Sequence, residues 1–532
     1  MLNRTRAVAL VLGLIVISSG VLFAYRMGVR DGVSEAVTGD APLPLAHISD
    51  ALNAELDRIR EVEKIEDPYE RCMAYPNPPE FDWSPKVIEA ACRKLSRRML
   101  SAKEIEDALD QHHPERLDHA FDGYLAKNFA AQAPEHGFLT WTYWWMFESS
   151  SKWAADITER WVRADPQSAY ALAARGIHYA RAAYDARGTR YASATPDANF
   201  TRMRELVGMA RRDLEESLER NPRLIAAYHG LLYISRLRDL DGGQRDIWVK
   251  RALALDPYDQ WIYLDWMGGV EPKWGGSYAQ MEHVASEAAQ HADANPLLGF
   301  LKAEPLCDRA NLYRCDSCEK DGQKSIDLFR EAAAFGPSGC FLDGAGAAAV
   351  LAQDLQTATR YYSQAYRFFG TDEWLAYRAQ NLRSLGRGAW ALENLNTALT
   401  RNPGNTTLLY ALALAYADAG RVGDVEKTYL AILEIEPDNP TAAFELSRLY
   451  VGELKEPDKA QSLVDHMLAQ DSTSAPAWFA KTMLCEALDD KPGYRAAAAK
   501  FLRYVNYDDP WQTANISLVQ AKLRHIGPAT QE

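Results

Sequence analysis

A recurring stop signal constrains this chain more than any other feature. Tripeptides ending in proline recur along it: "ADP" at 164–166, "RNP" at 220–222, "LDP" at 255–257, "ANP" at 294–296, "FGP" at 335–337, "RNP" at 401–403 and "IEP" at 435–437. The interval from Pro222 to Pro257 is 35 residues, and from Pro403 to Pro437 it is 34. Proline lacks the amide hydrogen a helix needs and drives the preceding residue toward extended backbone, so each tripeptide ends a helix. Stops at that period, with helical apolar periodicity between them, predict stacked helix pairs.

The clearest unit is "TTLLYALALAYADAGRVGDVEKTYLAILEIEP", 406–437. Leu409, Leu412, Ala413 and Tyr416 share one face of a first helix, Gly420 marks the turn, and Tyr429 and Ile432 line the second. The unit before it repeats the pattern with Leu375, Ala379, Leu382, Gly386, Ala391, Leu395, Ala398 and Pro403; the unit after it does so with Leu446, Tyr450, Ala460 and Met467. This pattern resembles the tetratricopeptide repeat family. The resemblance implies an all-α fold, an α-solenoid of roughly eight or nine helix pairs whose long inner face is the functional surface. Clearer repeats are expected over 338–505, degenerate ones over 135–337 with an insertion near "ARGTRYASATPDAN", and a C-terminal capping helix and tail over 506–532. Two middle segments, "LAARGIHYARAAYDARG" (172–188) and "EPKWGGSYAQM" (271–281), also resemble an uncharacterised bacterial family with a tetratricopeptide-like body, which implies no activity.

Residues 7–25, "AVALVLGLIVISSGVLFAY", carry no charge. In a helix they span nearly the roughly 30 Å of a bilayer core. Arg4 and Arg6 precede the run, which favours a cytoplasmic N-terminus. Leu22 and Ala24 make a poor peptidase site, so an uncleaved signal anchor over 1–30 is expected, followed by a linker at 31–45. The expected location is a single-pass inner membrane protein with its body in the periplasm or exterior. A helical region follows at 46–134, where Ser101 and Glu104 form a capping-box pattern.

Export governs how the cysteines are read. Cys307, Cys315, Cys318 and Cys340 offer four thiols, but only Cys315 and Cys318 have C-x-x-C spacing, and Asp316 and Glu319 beside them oppose thiolate formation. Disulfides are therefore expected ahead of zinc or redox chemistry. The expected pairs are Cys72 with Cys92 and, of the three connectivities that Cys307, Cys315, Cys318 and Cys340 allow, Cys307 with Cys315 and Cys318 with Cys340, leaving Cys485 as a buried apolar residue.

The formal net charge of −14 argues against nucleic acid and suggests a basic or neutral partner. Trp141, Trp144, Trp145 and Trp274 are candidate groove aromatics, against the alternative that they fill the core between repeats. In "EPKWGGSY" the glycines turn the chain and Ser277 caps the next helix; the alternative is an anion on the loop's amides. His112, Glu115 and His119 do not match a metalloprotease spacing, and no P-loop, G-x-S-x-G or EF-hand motif is present. No catalytic residue, cofactor or metal site is therefore expected. The expected function is a membrane-anchored interaction scaffold for a polypeptide or envelope component, its protein partner not identifiable from sequence. The alternatives are a cell-envelope hydrolase using groove carboxylates and a structural spacer.

Overall fold

The computed structural model describes residues 48–132, 135–188, 195–237, 242–314, 321–507 and 509–526, and every regular element among them is helical. The apolar run 7–25, the linker 31–45, Cys315 and Cys318 lie outside the described residues. Among the described residues no helix is long and apolar enough to cross a membrane. The chain forms two compact units. One is Asp57–Gln353; the other is Asp354–Glu532 together with residues 48–56.

The proline stops act as backbone chemistry requires. Asp165, Asn221, Asn402 and Glu436 each precede a proline and end a helix, with φ of −135°, −134°, −140° and −130° and ψ of 88°, 88°, 71° and 80°. Within a pair the turn is made differently. Gly386 and Gly420 take φ of +74° and +66°, which glycine adopts without a Cβ penalty. The amides just after them, Arg387 and Arg421, bond back to the carbonyls of Leu382 at 2.8 Å and Tyr416 at 2.9 Å. That five-residue return is the left-handed helix stop.

In the second unit, Glu373–Ser384 pairs with Gly388–Arg401, Thr406–Asp418 with Val422–Ile435, Pro440–Leu449 with Pro457–Gln470, and Ala475–Ala487 with Lys491–Tyr504. Leu409, Ala413, Tyr429, Ile432, Leu446 and Ala460 are all buried between neighbours, whereas Tyr416 is half-buried. The helix Pro510–Ile526 closes the stack by inserting fully buried Trp511 beside Phe444 and Phe479, each at 5.4 Å between ring centres. Residues 48–56 are held by the Arg360–Glu55 ion pair at 2.9 Å and by Arg387 donating to Asn53 Oδ1 at 2.8 Å.

In the first unit, Phe138–Phe147 opens a run of packed helices. Lys152–Ala164, Ala169–Arg187, Asp197–Arg220, Ile225–Ser235, Gly242–Leu255 and Gln260–Gly269 follow. Leu214 on the Asp197–Arg220 helix nests between Gly176 and Gly230. A Cβ on either glycine would come within 2.6 and 2.8 Å of the leucine side chain. Small residues at those two positions set how closely the helices stack.

The segment after residue 65 lies back over the middle of this unit. Trp83 Nε1 donates to Ala333 O at 2.7 Å, Lys86 Nζ donates to Asp293 O at 2.9 Å, and Phe81 and Trp83 pack against Phe341. A disulfide joins Cys72 to Cys92. The other bridge corrects the pairing expected for Cys307. It is joined to Cys340, not to Cys315, because the short helix Glu304–Asn311 brings Cys307 against the start of Gly339–Leu351, 6.0 Å between α-carbons. Cys340 is thereby unavailable to Cys318. Cys485 is a buried free thiol.

Candidate functional site

The two middle segments singled out in the sequence meet in space. Ala169–Arg187 carries Arg181, Tyr184 and Arg187, and the turn after Gln260–Gly269 carries Trp274. The Arg187 guanidinium lies 5.4 Å from the Trp274 ring centre, and Tyr184 lies 6.4 Å from it. Between them stands Ile225–Ser235, whose Tyr233 approaches Tyr184 at 5.9 Å. The site is built mainly on neighbouring packed helices, so its geometry is set by how they stack.

The turn itself is shaped by its glycines. Gly275 takes φ of +89°, and a Cβ on Gly276 would lie 2.0 Å from the Val270 carbonyl oxygen. Ser277 accepts from the Gln280 amide at 3.3 Å and caps Tyr278–Ala289. These residues present Trp274, half-buried, toward Tyr184.

Beneath the rings is a chain of buried charge. His229 Nδ1 donates to Asp265 Oδ2 at 2.5 Å and Nε2 donates to Glu148 Oε2 at 2.8 Å. All three residues are more than nine-tenths buried. Carboxylates only accept, so both ring nitrogens must carry hydrogen and the ring is an imidazolium. Burial alone would lower the pKa, but Asp265 and then Glu148 outweigh it and push it up to about 10. Arg236 Nη2 adds a 2.7 Å bond to Asp265 Oδ1. Burial and the charge of Glu148 raise the Tyr233 phenol, with Arg181 and Arg236 acting against them. With both nitrogens engaged, His229 has none to offer a substrate. It joins the end of Phe138–Phe147 to Ile225–Ser235 and Gln260–Gly269.

Beyond Trp274 the polarity reverses. Lys273 pairs with Glu271 at 2.8 Å, and Tyr278 donates to Asp308 at 3.0 Å. Burial, and then Glu271, Asp308 and Asp343, push the Glu304 carboxyl up to about 8. A second raised carboxyl, Asp259 at about 7, owes its shift to burial and then Asp256. It accepts from Thr140 Oγ1 of Phe138–Phe147 at 2.7 Å and, as the cap of Gln260–Gly269, from the Trp261 amide at 2.9 Å.

The other expected aromatics lie elsewhere. Trp141, Trp144 and Trp145 share the Phe138–Phe147 helix, where Trp144 stacks on Trp261 at 5.1 Å, Trp141 is half-buried and Trp145 is 42% exposed. Only Trp274 of the four joins the Tyr184–Tyr233 site. His112 and His119 are not brought together with Glu115; Glu115 instead contacts His113 at 2.8 Å. Among the described residues no group of three or more His, Cys, Asp or Glu is placed to hold a metal. The sequence reading passed over Glu148, His229 and Asp265, which lie 81 and 36 residues apart. No short motif spans such gaps.

Residues 382–442 match the family model described as tetratricopeptide repeat. No curated protein matches the chain. Among solved structures, YrrB, "a TPR protein with an unusual peptide-binding site", is 18% identical at a TM-score of 0.28, over 37% of this chain and 98% of its own. A tetratricopeptide repeat protein from Parabacteroides merdae is 11% identical at 0.33, over 55% and 99%. The APC/C hetero-tetramer Cut9-Hcn1 is 13% identical at 0.38, over 90% and 88%. At these TM-scores the likeness says nothing about what this chain binds.

Proposed function

We propose, on the premise that residues 382–442 are tetratricopeptide repeats, that this protein is a membrane-anchored, exported interaction scaffold. It holds a polypeptide partner against the Tyr184–Trp274 surface of its first unit. The observation that carries this reading is the convergence of segments 172–188 and 271–281, with Tyr184 and Trp274 half-buried and their rings edge-to-face at 6.4 Å. Partly exposed aromatic rings flanked by guanidinium groups are the usual anchors of protein interfaces. Anchoring and export rest on the uncharged run 7–25 and the arginines before it.

The test is affinity capture with the full chain from detergent-solubilised envelope, comparing wild type with Trp274→Ala and Tyr184→Ala. A polypeptide enriched by wild type and lost with both variants supports the reading; equal recovery by all three refutes it. A periplasm-active reporter fused after Glu532 tests topology, and an inactive fusion of a full-length, stable protein refutes export.

A second reading, envelope hydrolysis, draws on the Glu271, Glu304, Asp308 and Asp343 carboxylates. Turnover of a cell-wall substrate that Glu304→Gln abolishes, with the fold intact, would favour it.

A further inference from the structure

We infer that the three tryptophans of Phe138–Phe147, with Trp261 beside them, form a binding face for an uncharged sugar chain. Trp141, Trp144 and Trp145 fall at helical positions i, i+3 and i+4, so one side of that helix carries all three rings. Trp261, near the start of Gln260–Gly269, extends the row. Ring centres follow one another at 6.1 Å from Trp141 to Trp145, 6.2 Å from Trp145 to Trp144 and 5.1 Å from Trp144 to Trp261. The opposite side of the helix supplies the core through fully buried Leu139, Tyr143 and Phe147. Trp145 is left exposed, and Trp141, Trp144 and Trp261 are half-buried. Single exposed rings are ordinary on a protein surface, whereas a contiguous aromatic patch marks a place where something binds.

Two properties of the row select the occupant. The first is that it offers no charge. Elsewhere a guanidinium covers a tryptophan face, as Arg187 does at Trp274, Arg211 at Trp248 and Arg378 at Trp390, but among the described residues no Lys or Arg lies over these four rings. The acidic groups on the same helices are already engaged. Glu148 and Asp265, one turn beyond the tryptophans, hold His229, and fully buried Asp259 accepts from Thr140 and the Trp261 amide. A basic peptide therefore finds no open carboxylate here, and a polyanion is opposed by the formal net charge of −14. The second property is the set of open donors. The indole N–H groups of Trp141, Trp144 and Trp261 are not sealed from solvent and meet no acceptor among the described residues. Those of Trp83, Trp153 and Trp161 instead donate to Ala333 O at 2.7 Å, Glu106 Oε1 at 2.7 Å and Asp118 Oδ1 at 3.1 Å. Indole faces take the C–H side of a pyranose ring, and free N–H groups take its hydroxyl oxygens, so faces and donors together suit a neutral glycan. The spacing of the rings places successive sugars on successive tryptophans. This face uses other side chains than the Tyr184–Trp274 surface, and loss of either reading leaves the other standing.

The experiment is calorimetric titration of the full chain, in a detergent without a sugar headgroup, with chitohexaose, cellohexaose and maltohexaose, and with N-acetylglucosamine and glucose as single-ring controls. At least one hexasaccharide is expected to bind about tenfold tighter than its single sugar or better, because several rings engage one chain at once. That binding should change little with salt, since no ion pair holds it. Trp145→Ala and Trp261→Ala should each weaken it about tenfold, and Trp274→Ala should leave it unchanged. Trp145 lies at the surface, so its variant carries the test even where Trp261→Ala disturbs the fold. No hexasaccharide binding, or binding that Trp145→Ala and Trp261→Ala both leave untouched, overturns the inference. Co-sedimentation with phosphatidylcholine vesicles that Trp145→Ala abolishes, with no hexasaccharide bound, would overturn it in favour of a lipid surface.

Discussion

Replacing His229 by glutamine tests the buried charge chain beneath the site most directly. The imidazolium is 3% exposed and lies between Glu148 at 2.8 Å and Asp265 at 2.5 Å, themselves 8% and 4% exposed. A glutamine amide can donate to one carboxylate and supplies no charge to either. Breaking a buried ion pair from one side costs about 3 to 5 kcal/mol, because the remaining charge stays buried and uncompensated. The raised pKa corresponds to a similar size. Raising the pKa from 6.5 to about 10 at about 1.4 kcal/mol per unit corresponds to roughly 5 kcal/mol. The folded-state pKa lies above the unfolded one, so the stabilisation is full below pH 6.5 and is lost as pH rises toward 10. Urea unfolding of wild type and His229→Gln at pH 6, 8 and 9.5 should therefore show a gap of about 3 to 5 kcal/mol at pH 6 that narrows as pH rises. A gap below about 1 kcal/mol at pH 6, or one constant across the range, would refute an imidazolium at this position.

Glu304 has the opposite charge type. Its folded pKa is raised to about 8, so the native state loses stability as pH climbs from the ordinary carboxyl range through 8. Glu304→Gln should leave stability unchanged at low pH and, at about 1.4 kcal/mol per unit over the rise from 4.5 to about 8, raise it by roughly 4 to 5 kcal/mol at pH 9, read from the same unfolding curves. Replacing Cys72 and Cys92 together by serine should cost about 3 kcal/mol, measured as a lower urea midpoint under oxidising conditions. Peptide mapping of the unreduced protein should recover Cys307 linked to Cys340; a Cys307–Cys315 peptide would contradict this geometry. Trp161, fully buried among Phe121 and Phe147, should cost about 3 to 5 kcal/mol on change to alanine. Trp145, at 42% exposure, should cost far less than that, within about 1 kcal/mol.

Much of the architecture was legible in the chain because repeat folds are governed locally. A proline stop, a positive-φ glycine such as Gly420 and apolar positions such as Leu409 and Ile432 act within one helix pair, and the next pair uses the same rules. The site was less legible. Trp274 was visible as an aromatic beside two glycines, but nothing in the sequence separated it from Trp141, Trp144 and Trp145, which pack elsewhere. The partner of Cys307 was also out of reach. Four cysteines allow three connectivities, and the packing of two helices is what brings Cys340 to Cys307.

The sequence alone determined that this chain would be helical, repeated and punctuated by recurring proline stops, since those properties depend on backbone stops and on which residues avoid water. Only the tertiary structure decided that Glu148, His229 and Asp265 share one proton-bearing cluster, that Tyr184 and Trp274 meet, and that Trp83 reaches Ala333. Such contacts join residues tens to hundreds of positions apart, and their distances are set by how neighbouring helices stack. A linear pattern does not encode that quantity.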